Sequence, residues 1–141
     1  MTHSLYLGEQ LLNKFEDVVQ GLGMPYPIHF EELTADPGEL PRLMLSPIDN
    51  GTQDNAYISG EKICPFPCTV TLRVGIWDEQ GSIDAATDLT ALSKAFLTKS
   101  YILDGYTAYR RPEASIARCL GRTDVFEDWQ VTFDLYYKQT N

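Results

Sequence analysis

The sequence predicts an α+β fold: a mainly antiparallel sheet with two helices packed on one face, a two-layer sandwich. Three observations predict it. Residues 4–22 and 83–99 repeat apolar side chains at helical spacing. "TVTLRVGIW" (69–77) alternates apolar and polar residues. "DWQVTFDLYYK" (128–138) alternates most strictly of all, with Trp129, Val131, Phe133, Leu135 and Tyr137 opposite Gln130, Thr132, Asp134 and Tyr136. The predicted order is helix, two or three strands, helix, two or three strands, within one domain spanning 1–141.

The first helix, "SLYLGEQLLNKFEDVVQGL", places Leu5, Leu12 and Val19 seven residues apart, with Phe15 and Leu22 on the same side. Ser4 suits its N-cap, and Gly21 and Gly23 suit its stop. Pro25 and Pro27 exclude continuation. "IHFEEL" and "RLMLSP" read as short extended pieces, joined by the turn formers of "TADPGELP". The polar stretch "IDNGTQDNAYISGEKICPFP" that follows is long for an idle connection. It is either a surface loop, an arm that touches a partner, or an extended hairpin, with Asn50-Gly51 as its turn signal. In the next strand Val70, Leu72, Val74 and Ile76 share one face, and Thr71, Arg73, Gly75 and Trp77 the other.

The second helix carries Ala85, Leu89, Leu92 and Phe96 on one stripe, with Ser82 or Asp84 as N-cap. "YILDGYTAYRRPEASIARCLGRT" then supplies one or two strands, broken at Pro112. The alternating strand closes the fold. Its five large side chains make it a main contributor to the core, at about 1.5–3 kcal/mol for each one fully buried.

Charge and cysteines narrow the function. The net charge is −9, so tight binding of nucleic acid over a broad surface is disfavoured, although contact with passing nucleic acid is not. Between residues 31 and 54, Glu31, Glu32, Asp36, Glu39, Asp49 and Asp54 oppose only Arg42, a solvated acidic edge. No apolar run of about 18 residues suggests a membrane span. The segment "MTHSLYLGEQLL" lacks the pattern of a signal peptide, so folding in a cytoplasm is expected. Cys64, Cys68 and Cys119 are odd in number and read as structural thiols. "CPFPC" is close enough for a metal, but a zinc site needs about four ligands, and His3 and His29 do not complete one.

Nucleotide-binding, metalloprotease and serine-hydrolase motifs are all absent from the sequence. Asp124, Glu127 and Asp128 read as solvated acids of a hairpin turn rather than metal ligands. No enzyme activity and no cofactor is expected. Tyr57, Tyr101, Tyr106, Tyr109, Tyr136 and Tyr137 fall near strands or the long loop, as tyrosines do where proteins meet proteins. Tyrosine is equally a good strand former.

"SIARCLGRTDVFEDWQVTFDLYYK" resembles the ending of the tail terminator proteins of long-tailed bacteriophages, also known as phage minor capsid proteins. The resemblance rests on Leu120, Gly121, Arg122, Thr123 and Asp124, then on Trp129, Val131, Phe133, Leu135, Tyr136 and Tyr137. The order of elements is similar along the chain, while "CPFPC" and the acidic stretch before it have no counterpart in the family. The resemblance implies a homohexameric ring in the virion. That ring caps the head-proximal end of the tail tube, ends its polymerisation and joins a neck protein, with genomic DNA passing through without tight binding and no membrane involved. A neck or head-completion protein of similar fold is the alternative within assembly proteins. A small cytoplasmic enzyme or ligand-binding domain using "CPFPC" is the alternative from another class. The expected subunit or tube contacts are Asp49, Asn50, Gln53, Asp54 and Tyr57 of the long segment, with Tyr109, Arg110 and Arg111.

Overall fold

A computed structural model describes residues 7–24, 26–30, 40–47, 56–58, 61–75, 79–103 and 105–139. Helices α1 (Leu7–Gly21) and α2 (Glu79–Lys99) accompany eleven strands among these residues: β1 (Ile28–Phe30), β2 (Arg42–Pro47), β3 (Ala56–Ile58), β4 (Glu61–Pro65), β5 (Cys68–Gly75), β6 (Ile102–Leu103), β7 (Tyr106–Ala108), β8 (Glu113–Ala114), β9 (Arg118–Arg122), β10 (Phe126–Asp134) and β11 (Tyr136–Gln139). The fold is α+β, as the sequence predicts. A six-stranded sheet runs β1-β2-β5-β10-β8, with β9 also paired to β10. Its pairs are antiparallel except β1 with β2, which are parallel. A second sheet, which the periodicity does not reveal, runs β3-β4-β11-β7-β6.

Both helices cover one face of the larger sheet. Phe15 of α1 stacks on Phe96 of α2 at 3.7 Å between ring centres, and both meet the edge of Phe133 of β10 at 5.4 and 5.1 Å. Ala85, Leu89, Leu92 and Phe96 are buried, as their spacing predicts. So are Val70, Leu72 and Val74. Thr71, expected on the open face, is buried too and accepts a hydrogen bond from Gln130 Nε2 at 3.2 Å.

The stripe of α1 is centred on Leu11, Phe15, Val18 and Val19, with Leu12 half-buried and Leu22 exposed. Leu22 leaves the stripe because the helix stops before it. Gly23 adopts φ +69°, Met24 N donates to Val19 O at 3.1 Å and Gly23 N to Gln20 O at 3.0 Å, the pairing of a Schellman stop. Ser4 lies outside the described residues. α2 starts at Glu79, earlier than predicted, so Ser82 and Asp84 are inside the helix and not its caps. Ser82 is free to serve another element, and Asp84 accepts from Gln80 at 3.0 Å.

The long polar segment yields the β3–β4 hairpin. Ile58 pairs with Glu61, so this hairpin turns between them; Asn50-Gly51 lie outside the described residues. The region after α2 gives four short strands instead of one or two, interrupted at Pro112 as expected.

The alternating run 129–137 is not one strand but two. It leaves the larger sheet at Leu135 and enters the smaller one as β11. Its antiparallel neighbour does the same: β4 belongs to the smaller sheet, β5 to the larger, and Phe66-Pro67 joins them. Phe66 N donates to Leu135 O at 2.8 Å at the crossing. Pro67 has no N–H to offer a ladder, which suits the point where the ladder must break. "CPFPC" is thus the crossing of a two-stranded ribbon from one sheet to the other. Val131, Phe133, Leu135 and Tyr137 stay buried through the change, whereas Trp129 is only half-buried.

Candidate functional site

The expected contact residues divide into three groups. Asp49, Asn50, Gln53 and Asp54 lie outside the described residues, as does the acidic stretch 31–39. Tyr57 sits in β3, an edge strand of the smaller sheet, opposite Lys62. Tyr109, Arg110 and Arg111 follow β7, on the far side of β4 and β11. Three inter-strand steps separate β3 from β7, roughly 14 Å at about 4.8 Å per step. The fold therefore does not bring Tyr57 together with Tyr109–Arg111.

At the second place, Tyr109 is exposed and its N–H donates to Tyr136 O at 2.9 Å. Arg110 lies 3.7 Å above the Tyr136 ring and pairs with Asp134 at 3.1 Å. Arg111 is exposed. The tyrosines do not act as one group. Tyr137 is core and donates to Ser100 O at 2.9 Å, Tyr106 packs against that core, and Tyr101 is exposed.

The most organised polar cluster surrounds Glu127, which the sequence reading takes for a solvated turn acid. It is 3% exposed. Its carboxylate accepts from Arg122 Nη2 at 2.8 Å, from Trp129 Nε1 at 2.8 Å and from Ser82 Oγ at 3.0 and 3.1 Å, and Cys119 Sγ lies at 3.8 Å. Burial alone would push this carboxyl up. The hydrogen bonds from Arg122, Ser82 and Trp129, with the Arg122 charge, outweigh that and hold it below its ordinary value. These donors fill the sites a carboxylate offers. Glu127 is accordingly a clamp and not a free base or ligand: it ties β9, through Arg122 and Cys119, to α2 through Ser82. The signal that could have found it is parity: Glu127 is in phase with Trp129, Val131 and Phe133 on the buried face, whereas Asp124 lies in the turn and is exposed.

Asp128, the next acid, is also paired. It faces Arg73 across the β10–β5 ladder and accepts from Arg73 Nε at 2.8 Å and Nη2 at 2.9 Å, while the same guanidinium lies 3.7 Å over the Phe126 ring. Among the described residues no three His, Cys, Asp or Glu side chains gather into a metal site. Cys68 is fully buried and its thiol is pushed up by that burial, whereas Cys119 is exposed and so is not the buried thiol expected.

What the clamp holds is β9, an edge strand whose five residues are all exposed. Among the described residues it pairs with β10 alone. Cys119 lies opposite Trp129 and Gly121 opposite Asp128, so Leu120 is the extra residue of a β-bulge. Large apolar side chains flank and punctuate the strand: Ile116 is 83% exposed, Leu120 49% and Val125 40%. Thr123 closes the β9–β10 turn, its Oγ1 accepting from Val125 N and Phe126 N at 3.1 Å. The arrangement is a pinned, solvent-facing edge that offers apolar knobs.

No family model and no curated protein sequence matches this chain. Among the described residues no helix is long and apolar enough to cross a membrane.

Proposed function

We propose that this chain is a tail terminator of a long-tailed bacteriophage, an assembly protein that forms a ring on the head-proximal end of the tail tube, stops its growth and receives the neck. One observation carries the reading. Of the residues on which the resemblance rests, Val131, Phe133, Leu135 and Tyr137 are core, but Leu120, Gly121 and Arg122 belong to an edge strand whose residues are all exposed and which a buried carboxylate holds in place. The interior part of the motif serves stability; the exposed part has no such task. A costly buried clamp under an exposed strand is what a contact surface needs, because binding residues work best when their support is rigid.

The net charge of −9 suits a channel past which a phosphate backbone slides without adhering. The sealed thiol of Cys68 speaks against ligand or redox chemistry at "CPFPC", where the prolines have a structural task of their own.

The test is disruption of the gene in its phage, followed by electron microscopy of the lysate. Tubes of uncontrolled length beside unjoined heads are expected. Tails of normal length that fail to join heads would make the chain a neck protein instead. Normal tails joined to heads would overturn both readings.

A further inference from the structure

If the chain forms a ring, each copy must offer two different surfaces, one to the neighbour on either side, because a closed ring of more than two copies is built from head-to-tail contacts. This inference rests on the proposed function and names those surfaces. The larger sheet supplies them at its two opposite edges. At one edge lies β9 with Ile116, Leu120 and Val125. At the other lies β1, where α1 and the segment after it leave an open groove of about 430 Å³ lined by Glu16, Gln20, Met24, Tyr26, Pro27 and His29, among others.

Charge divides the same way. On the β9 edge Arg118 is exposed, while Arg122 is paired with Glu127 and Asp124 lies in the turn beyond it. α1 carries Glu9, Glu16 and Asp17 against Lys14. The edge with Arg118 bears apolar knobs, and the acid-bearing edge bears a groove with an apolar floor. The bulge at Leu120 interrupts the regular spacing of β9, which disfavours an uninterrupted ladder across a joint and leaves side chains to make the contact.

We infer that the β9 edge of one copy docks into the α1–β1 groove of the next copy, Ile116 and Leu120 entering it and Arg118 meeting Glu16. The contact is heterologous, so copies align head to tail with every sheet pointing the same way around the ring.

Two variants separate this from its rivals. Ile116→Asp combined with Leu120→Asp spoils the β9 edge, and Glu16→Arg combined with Gln20→Arg spoils the groove; all four positions are exposed, so the fold is retained. Sedimentation equilibrium up to about 1 mM reads weak self-association. Wild type is expected to form oligomers. Each variant alone is expected to associate at least about tenfold more weakly. An equimolar mixture of the two is expected to give a one-to-one dimer and nothing larger, because each retains one working surface. A groove variant that associates like wild type, a mixture that stays monomeric, or a wild type that remains monomeric throughout the range each overturns the contact. Tail length in the disrupted phage is read independently, so the functional proposal can stand when this contact falls, and the reverse.

Discussion

β9 and β10 are hydrogen-bonded neighbours, yet they keep their places by different means. β10 buries Val131 and Phe133 completely beneath the two helices, and its order comes from packing. β9 buries none of its residues and relies on its ladder with β10 and on Arg122 reaching the buried carboxylate of Glu127. The contrast teaches that an exposed strand does not have to be a loose one. A single satisfied charge beneath it can replace a hydrophobic face, leaving its outer edge for a partner. The cost is that such a strand depends on one residue, whereas β10 depends on many.

Truncation of the core strand should have the largest effect. Phe133→Ala removes a ring that meets both Phe15 and Phe96, and a loss of about 3–5 kcal/mol is expected in denaturant melts. Its sequence neighbour Thr132, half-exposed on the other face, should lose less than about 1 kcal/mol on replacement by alanine. Equal losses would erase the distinction between the faces of β10.

Glu127→Ala should come next, at about 2–3 kcal/mol, since Trp129 Nε1 and Ser82 Oγ lose their acceptor while Arg122, half in solvent, is partly rehydrated. The loss should be uneven. Amide exchange is expected to quicken through 118–122 while 131–133 remain protected, and uniform quickening would show that β9 has no separate anchor.

The same carboxylate sets an acid limit. Its folded value lies below the ordinary 4.5, so below 4.5 the unfolded chain binds the proton more readily. The stability that Glu127 contributes is therefore complete above 4.5 and is lost as the pH falls through the lowered folded value. Wild type should destabilise more steeply than Glu127→Gln in that acid range, and parallel pH curves would mean the clamp carries no net charge effect.

Leu120→Ser should change stability least, within about 0.5 kcal/mol, because the side chain is half in solvent. A large thermal shift would make Leu120 a core residue of a kind the fold does not show.

Much of this architecture is legible in the sequence because burial leaves a period. The stripe of α2, the alternation of β5 and the core positions of β10 all follow from residues that must face one way. The second sheet is not legible, because alternation continues unbroken through Leu135 while the hydrogen-bonding partners change. The turn acids mislead for a related reason. Asp124, Glu127 and Asp128 look alike as a cluster; the alternation carried back from Trp129 puts Glu127 on the buried face, and the cross-strand register, which sets Asp128 against Arg73 and Glu127 against Arg122, supplies the partners that the sequence does not name. The contact residues fare worst. Tyr57 lies in β3 and Tyr109 just after β7, two separate strands of a sheet that the periodicity never announces.

The crossing at Leu135 has a consequence for how the protein folds. β10 lies between β5 and the β8–β9 edge in one sheet, and β11 lies between β4 and β7 in the other. The final run of strand residues, 126–139, is therefore the middle of both sheets. Nothing synthesised before it can close either one. Among the described residues, the two helices and nine strands that precede Phe126 have no common seam until 126–139 enters. Neither sheet can be completed without the run that completes the other, so the two are expected to form and to melt as one cooperative unit.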